Sequence, residues 1–473
     1  MVQEGPTNGN GDPTGGNGQS AYKEDDLYSN GNGNRPSGGV RVLEPLRRTA
    51  QRLGVTVRRM DVGQPKRGKP DWLEGEKERY RLMFTGGLDH SPYPPSEGVT
   101  EVKEAIANHL NKTLQPAVPY NPEDVVPMPG SGKAWRKVGR HLVQTFGKRN
   151  LISQIPTYGS NVALWIQIQQ GNFLPVPTSF ASGYQTPNKA AYQDRVKYYT
   201  AAGLKPDVFL FTDPNNPTGR IHSEQEVFDI ADLILEHDLT AVSDSGIYDE
   251  LILNGKKQTS LAVHKDVQMN NLVILGSLSK VGDLAGDGAG WLATKNKELR
   301  KAVIFDDGLS MGGSLTGQAY TIAYLEGDTA EYERQGRQRY REAIEELYRL
   351  LANNPNIVLG PPPEGGFYAT AVLRTDDGEP MDALSVSDYL LREIPASHPN
   401  PVHTTTAITP MEVAGFYGIE SEGRGDEIRF ALVEDPELIG DGVEALIAGI
   451  EAFQHSHGDQ PIPQDRIRST AAR

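Results

Sequence analysis

The chain has 473 residues, and its 62 Asp and Glu residues against 47 Lys and Arg residues give a formal net charge of −15. A surface that binds nucleic acid needs a basic face, so this charge argues against a nucleic-acid partner. The absence of cysteine excludes disulfides, thiolate metal sites and cysteine nucleophiles, and it is compatible with the cytoplasm. No apolar run approaches the roughly 20 residues needed to cross a bilayer, so we expect a cytoplasmic protein without a membrane partner.

The chain is longer than one hydrophobic core usually serves, which predicts two folded domains with tails. Residues 1–39 are rich in Gly, Asn, Asp and Ser and have almost nothing apolar to bury, so they are predicted to be a disordered tail. Globular sequence begins at Val40. Residues 40–85 are expected to form an N-terminal arm, with a short helix over 44–53 and a turn over 61–65.

The middle of the chain, residues 86–315, alternates between helix and strand patterns. Apolar residues one helical face apart predict helices, and short apolar runs predict strands. The predicted helices cover 98–114, a segment opening at 130, 158–170 and a segment opening at 223, and the predicted strands cover 150–155, 207–212, 239–242 and 272–276. This rhythm predicts an α/β domain with a largely parallel sheet that binds ligands at the carboxyl ends of its strands.

The pattern changes after about residue 313. A long amphipathic helix is predicted over 330–353, strands over 357–359, 366–373 and 427–432, and a closing helix over 436–453. We expect residues 316–456 to form a smaller α+β domain with the N-terminal arm, and residues 457–473 to form a flexible tail. There is no internal repeat.

Three short segments carry the chemistry, each directly after an apolar strand. They are Asp213-Pro214-Asn215-Asn216-Pro217-Thr218-Gly219, Asp244-Ser245-Gly246-Ile247-Tyr248 and Ser277-Leu278-Ser279-Lys280. Taken singly, the first is a common turn, the second a strand-end carboxylate and the third an ordinary lysine. In this order and at these separations, they resemble the fold-type I enzymes that use pyridoxal 5′-phosphate (PLP), and specifically the class I/II aminotransferase superfamily.

The resemblance covers roughly residues 40–453 and implies a fold, a cofactor and a reaction type. The fold is α/β, with a large domain built on a mainly parallel seven-stranded sheet and a smaller α+β domain. Lys280 would hold PLP as a Schiff base and move the substrate's α-proton through a quinonoid intermediate. Asp244 would pair with the pyridine nitrogen and keep the ring an electron sink.

The resemblance also implies a set of cofactor contacts. Asn216 would bind the phenolic oxygen, and Tyr158 would stack on the ring. The phosphate would be held at a helix N-terminus and by nearby hydroxyls, a requirement that Ser131, Gly132 and Ser277 fit. Tyr93 resembles the tyrosine that reaches the phosphate of the neighbouring subunit, which implies a homodimer with shared active sites.

Substrate recognition follows the same resemblance. Arg429 matches the arginine that binds the α-carboxylate of an amino-acid substrate in a bidentate pair. Gly63 matches the N-terminal loop that closes over that carboxylate, beside Asn216. The loops at 311–315 and 411–418 contain no arginine, which disfavours a substrate with a second carboxylate.

Two departures from the family surround the cofactor. The family arginine that clamps the phosphate lies eight residues after the lysine, and Gly288 occupies that position here. Lys133, at the start of the phosphate-facing helix, could supply the missing charge. The family tyrosine that touches the phenolic oxygen usually lies three residues after the aspartate, whereas Tyr248 lies four residues after Asp244. Both departures favour an unusual reaction on the same cofactor.

Several readings compete for the function. Transamination is favoured, and a PLP-dependent lyase or cyclase, similar to the ACC synthases that act on S-adenosylmethionine, is the alternative. A PLP-fold regulator would need a basic DNA-binding domain before residue 40, and a pseudoenzyme would not need Lys280. The segment from Gly130 to Ala134 lacks the first glycine and the Ser/Thr of a Walker phosphate loop. The histidines show no metal-ligand spacing, so we assign no metal.

Overall fold

The computed structural model describes residues 43–88, 92–246, 253, 255–256, 258–309, 313–393, 404–412, 414–417 and 424–457. The tails predicted at 1–39 and 457–473 therefore lie outside the described residues, apart from His457. Within the described part, no helix is long and apolar enough to cross a membrane.

A seven-stranded sheet forms the centre of the fold. Its strands are β2 (Val125–Met128), β3 (Asn150–Ile155), β4 (Asn172–Pro177), β5 (Val208–Phe211), β6 (Thr240–Gly246), β7 (Leu272–Ser277) and β8 (Gly290–Thr294), and β1 (Thr56–Arg59) lies in another sheet. The spatial order is β2-β8-β7-β6-β5-β3-β4, and β8 pairs antiparallel with both of its neighbours while the other pairs are parallel. The predicted mainly parallel seven-stranded sheet is confirmed.

Helices cover this sheet, and others belong to the later part of the chain. They are α1 (Glu44–Arg52), α2 (Asp71–Phe84), α3 (Thr100–Leu114), α4 (Ser131–Gln144), α5 (Gly159–Ala163), α6 (Lys189–Ala201), α7 (Glu224–Glu236), α8 (Lys265–Asn270), α9 (Lys297–Leu309), α10 (Leu315–Glu326), α11 (Ala330–Leu351), α12 (Ala383–Asp388) and α13 (Pro436–His457). Strands β5 and β7 are buried along their whole length, as expected for parallel strands with helices on both faces.

The strand ends position the site. Strands β5, β6 and β7 are neighbours and run parallel, so their carboxyl ends lie side by side at one edge of the sheet. The pairing of β6 with β7 shifts register between Ser243 and Gly246, and this irregularity surrounds Asp244. Such bulges locally redirect a strand, and they are common beside active sites.

The C-terminal part has its own sheets and core. Strands β9 (Ile357–Leu359), β10 (Tyr368–Leu373), β12 (Thr409–Pro410) and β13 (Glu427–Ala431) pair antiparallel in the order β12-β13-β10-β9, and β1 pairs parallel with β11 (Thr404–Ala407). Helices α11 and α13 contribute Leu347 and Val443 to a core shared with Phe430. This arrangement is α+β, as predicted, and the domain boundaries themselves stay a prediction.

Some elements differ from the sequence-based expectation. The single helix predicted over 158–170 is α5 followed by a π-helical turn over Leu164–Ile168. In this turn Trp165 is fully buried and stacks on Trp135 with 5.5 Å between ring centroids. The sequence does not predict strand β2, because Pro127 interrupts it. The sheet tolerates this proline because β2 is an edge strand.

Candidate active site

Asp244 is a buried carboxylate with one satisfied oxygen. Its side chain lies at the end of β6 and is 4% exposed. Oδ2 accepts a hydrogen bond from Asn161 Nδ2 at 2.7 Å, whereas Oδ1 is buried and has no hydrogen-bond partner among the described residues. Burial raises the pKa of Asp244 to about 6, and the hydrogen bond from Asn161 opposes that shift. A protonated pyridine nitrogen is the kind of donor this oxygen lacks, so the site fits PLP.

Asn161 is a site residue that sequence reasoning missed. It lies in the first turn of α5, one turn after Tyr158, and its backbone N–H donates to the carbonyl of Tyr158 at 3.0 Å. Its own carbonyl accepts from the indole N–H of Trp135 at 3.0 Å. Its spacing of three residues from Tyr158 is the signal in the sequence that indicates Asn161. Residues three apart on a helix share a face, and Tyr158 is predicted to contact the cofactor.

Lys280 follows β7 and is partly buried, and its Nζ donates a hydrogen bond to the carbonyl oxygen of Gly63. Burial, and then the positive charge of Arg429, lower the pKa of Lys280 to about 8, while Asp283 acts in the opposite direction. A lowered pKa increases the fraction of the amine that is neutral near neutral pH, and only the neutral amine can act as a nucleophile.

Arg429 lies on β13 and is 1% exposed. Its Nη1 donates to Asn216 Oδ1 at 3.1 Å, and its Nη2 donates to the carbonyl of Asp61 at 2.6 Å. The guanidinium carbon lies 4.3 Å from the ring centroid of Tyr368 and 5.1 Å from that of Phe416. Its buried Nε has no partner within the described part of the chain. This arginine can therefore still donate to an anion.

Gly63 is required by close packing. A Cβ at this position would lie 2.0 Å from the hydroxyl oxygen of Tyr368, so no larger residue fits without rearrangement. The contact with Lys280 and the neighbouring contact between Asp61 and Arg429 bring the N-terminal segment onto the same site. The structure thus brings together Gly63, Asn216, Lys280 and Arg429, four of the predicted residues.

The first turn of α4 could hold a phosphate. Ser131 and Gly132 open this helix, whose first backbone N–H groups have no partner within the helix itself. A Cβ on Gly130 would lie 4.0 Å from Ser277 Oγ, which places that hydroxyl beside the turn. Ser277 Oγ also lies 2.7 Å from Ser279 Oγ. Ser279 is a second hydroxyl that the sequence analysis did not assign.

The charges around this turn differ from those expected with an arginine at 288. Gly288 has a φ of +70°, and a Cβ there would lie 3.3 Å from the Cβ of Pro129. The neighbouring Asp287 forms an ion pair with Lys69 at 3.1 Å. Lys133 is exposed and forms no salt bridge with any residue that the structure describes. Lys133 is therefore available as a cation at the helix start.

The three predicted tyrosines are not among the four residues brought together above. Tyr158 immediately precedes α5 and is half-buried. Tyr93 is 78% exposed, so it is not packed into the cluster of its own chain. Tyr248 lies outside the described residues. No group of three or more His, Asp or Glu residues suited to a metal ion occurs among the residues described here.

Solved structures share this fold. A single mutant of the Thermus thermophilus aspartate aminotransferase has a TM-score of 0.71 at 19% identity, covering 89% of this chain and 97% of that chain. The aromatic aminotransferase of Pyrococcus horikoshii OT3 has a TM-score of 0.70 at 18% identity, covering 87% and 99%. These likenesses establish the fold as fold-type I, the class predicted from the motifs.

Sequence comparison identifies the family. The family model for aminotransferase class I and II matches residues 59–408, more than half of the chain. The aspartate aminotransferase of Bacillus subtilis (strain 168) is 24% identical over 309 residues, 64% of this chain and 73% of its own length. Aromatic-amino-acid aminotransferase 2 of Thermococcus litoralis is 24% identical over 344 residues, 71% of this chain and 80% of its own. The chain belongs to the class I and II aminotransferases, a family of PLP-dependent transferases.

The lowered pKa of Lys280 predicts a distinctive pH dependence in the cofactor-free protein. Acylation of Lys280 should rise with a midpoint near pH 8, because only the neutral amine reacts and its pKa is about 8 instead of 10.5. Competitive labelling followed by digestion and mass spectrometry measures this, with the exposed Lys301 as the internal reference. In Arg429→Gln the midpoint should move to higher pH, since a repelling positive charge is lost. An unchanged midpoint would contradict this account.

Proposed function

We propose that the chain is a PLP-dependent aminotransferase that acts on an α-amino acid, with Lys280 as the attachment point of the cofactor. The observation that carries the proposal is the buried Oδ1 of Asp244, which lacks a partner among the described residues and can accept from a cationic donor. Asn216 and Lys280 follow β5 and β7, the two strands that flank β6 in the sheet, and Asn216 contacts Arg429. Family membership supports the same activity.

When bound, PLP supplies an electrophilic carbon for amine attachment and a ring that accepts the electron pair released from the α-carbon. Asp244 would keep the ring nitrogen protonated, and Asn161 fixes the orientation of the Asp244 carboxylate. Tyr158 would pack against the ring. Asn216 would donate to the phenolic oxygen through its amide nitrogen, because its Oδ1 accepts from Arg429. Tyr248 is proposed as a second contact to that oxygen.

Lys280 carries the proton transfer. With PLP bound, Nζ of Lys280 would act as a general base that takes the substrate's α-proton and returns it at a different carbon. Its lowered pKa of about 8 suits this role, since the amine must be neutral to accept a proton and must release it again near neutral pH. The carbonyl of Gly63 can hold the released ammonium group in place.

Arg429 binds the α-carboxylate. Its position is fixed by Asn216, by the carbonyl of Asp61 and by the ring of Tyr368, so little side-chain freedom is lost on binding. Gly63 closes over this group. Relatives of this chain act on aspartate or on aromatic amino acids, as their names state. Because no arginine occurs in 311–315 or 411–418, we propose a substrate without a second carboxylate.

A second candidate function rests on the phosphate end of the site. Gly288 replaces the clamping arginine of the family, which favours a changed reaction such as elimination or cyclisation on S-adenosylmethionine. The two functions share Lys280, Asp244 and Arg429. They differ in whether the amino group of the substrate is transferred to the cofactor.

Replacing Lys280 with Ala should abolish the visible absorption band of lysine-bound PLP and all turnover, because it removes the amine that would bind the cofactor. Absorbance spectra of the two proteins after reconstitution measure this. In the unmodified protein, an aromatic or other neutral amino acid should bleach the band and yield the corresponding oxo acid. A protein that cannot be reconstituted with PLP would refute the proposed function.

The same spectra separate the two functions. S-adenosylmethionine should leave the band of a transaminase unchanged over many turnover times. Release of a sulfur-containing product without bleaching would establish the lyase or cyclase instead.

Lys133 is proposed to supply the charge that Gly288 lacks. Lys133→Ala should weaken PLP binding about tenfold, because a hydrogen bond to a charged group contributes roughly 1.5–3 kcal/mol and the exposure of Lys133 puts its contribution at the lower end. Equilibrium dialysis of PLP measures the change. Arg136→Ala, another exposed cation on α4, is the matched control. Equal PLP affinity in both variants would remove Lys133 from the site.

We propose a homodimer in which Tyr93 reaches the phosphate of the partner subunit. The 78% exposure of Tyr93 in a single chain is compatible with a residue that is buried only on association. Sedimentation should then give twice the 51.7 kDa chain mass. When Tyr93→Ala and Lys280→Ala chains are mixed, about one site in four should bind PLP with unmodified affinity, because half of the dimers are hybrids with one intact site. No recovery would exclude sharing.

A further inference from the structure

A buried Asp–His pair lies at the base of the loop that carries Asn216. Asp213 is 0% exposed and His222 is 2% exposed. Asp213 Oδ1 accepts from the backbone N–H of His222 at 2.8 Å and lies 2.9 Å from its Nδ1. A single carboxylate oxygen therefore closes a loop of ten residues, from Asp213 to His222, through both the main chain and the ring.

The loop between them is tied internally. The N–H of Asn215 donates to the carbonyl of Arg220 at 2.8 Å, and the N–H of Gly219 donates to the carbonyl of Asn215 at 2.7 Å. Asn215 Oδ1 accepts from the hydroxyl of Thr218 at 3.0 Å. Asn216 thus lies at the tip of a closed loop whose base is the Asp213–His222 contact, and at that tip its Oδ1 meets Arg429.

Burying the Asp213–His222 pair costs free energy that a purely structural role would not require. Asp213 Oδ2 and His222 Nε2 are both buried without a hydrogen-bond partner among the described residues. Buried ionisable pairs seldom stabilise a fold more than apolar residues of the same volume, so their contribution is better sought in fixing one geometry. The imidazole also packs on Phe211 of β5, with 4.8 Å between ring centroids, which ties the loop base to the sheet.

We propose that His222 is a positioning residue for Asn216. By holding the loop base through Asp213, it sets where the Asn216 amide stands relative to Arg429 and to the phenolic oxygen of PLP. This inference rests on the proposed function. It assigns a role in cofactor tuning and carboxylate binding to a residue that touches neither group.

The experiment uses the PLP-loaded protein and compares His222→Leu with His222→Asn. Leucine removes the side-chain donor to Asp213 and keeps the backbone N–H, whereas the Nδ2 of asparagine stands close to where Nδ1 stands in histidine. In His222→Leu the KM for the amino donor should rise at least fivefold with a smaller change in kcat, because carboxylate positioning is lost. The pH midpoint of the visible band should also rise, since a donor to the phenolic oxygen favours its anionic form. His222→Asn should restore both values.

Ile230→Val on α7 is the matched control, because it shortens a buried side chain outside the 213–222 loop. It should lower the Tm and leave the KM and the band midpoint unchanged. If His222→Leu matches this control in both measurements, the positioning role is wrong. If His222→Leu does not fold, His222→Gln replaces it, and equal KM and midpoint values in the Gln and Asn variants would overturn the proposal. An unmodified protein without a PLP band would refute the proposed function instead.

Discussion

The site depends on one buried carboxylate, Asp244, whose second oxygen has no partner among the described residues. An uncompensated charge in a protein interior is expensive, and burial raises the pKa of this group for that reason. Asn161 binds one oxygen, and the carbonyl of Asn161 is itself held by Trp135. Trp135 in turn stacks on Trp165 in the π-helical turn. A local irregularity of the helix thus supports the orientation of a single acid.

Sequence reasoning found the strand ends and missed what supports them. Lys280, Asp244 and Asn216 follow apolar strands in a recognisable order, so their meeting at one sheet edge could be expected from the topology of parallel sheets. Asn161 and His222 act through other residues, and no motif marks such residues. Strand β8 was missed because it follows a glycine-rich stretch and reverses direction within an otherwise parallel sheet. Tyr248, one residue beyond its expected position, lies outside the described residues.

The site is assembled from segments far apart in the chain. The N-terminal segment places Gly63 on Lys280 and Asp61 on Arg429, while β13 supplies Arg429 itself. Arg67 adds a contact to the carbonyl of Val281, and the N–H of Gly68 donates to Asp283. The N-terminal segment therefore contacts Lys280 and the loop after it at several successive positions. The contacts proposed to hold the substrate are in this way linked to those that hold the amine of Lys280.

The backbone at Gly288 has a consequence for any attempt to redesign this protein. With a φ of +70° and a Cβ position that lies close to Pro129, an arginine placed there would carry about 1–3 kcal/mol of conformational strain. That strain is similar in size to the free energy a phosphate clamp would contribute. A single substitution is therefore expected to gain little. Introducing the phosphate-binding arginine of the family would require rebuilding the turn that contains Gly286 and Gly288 and giving Asp287 a new partner. The whole loop would therefore have to be replaced, and not one residue.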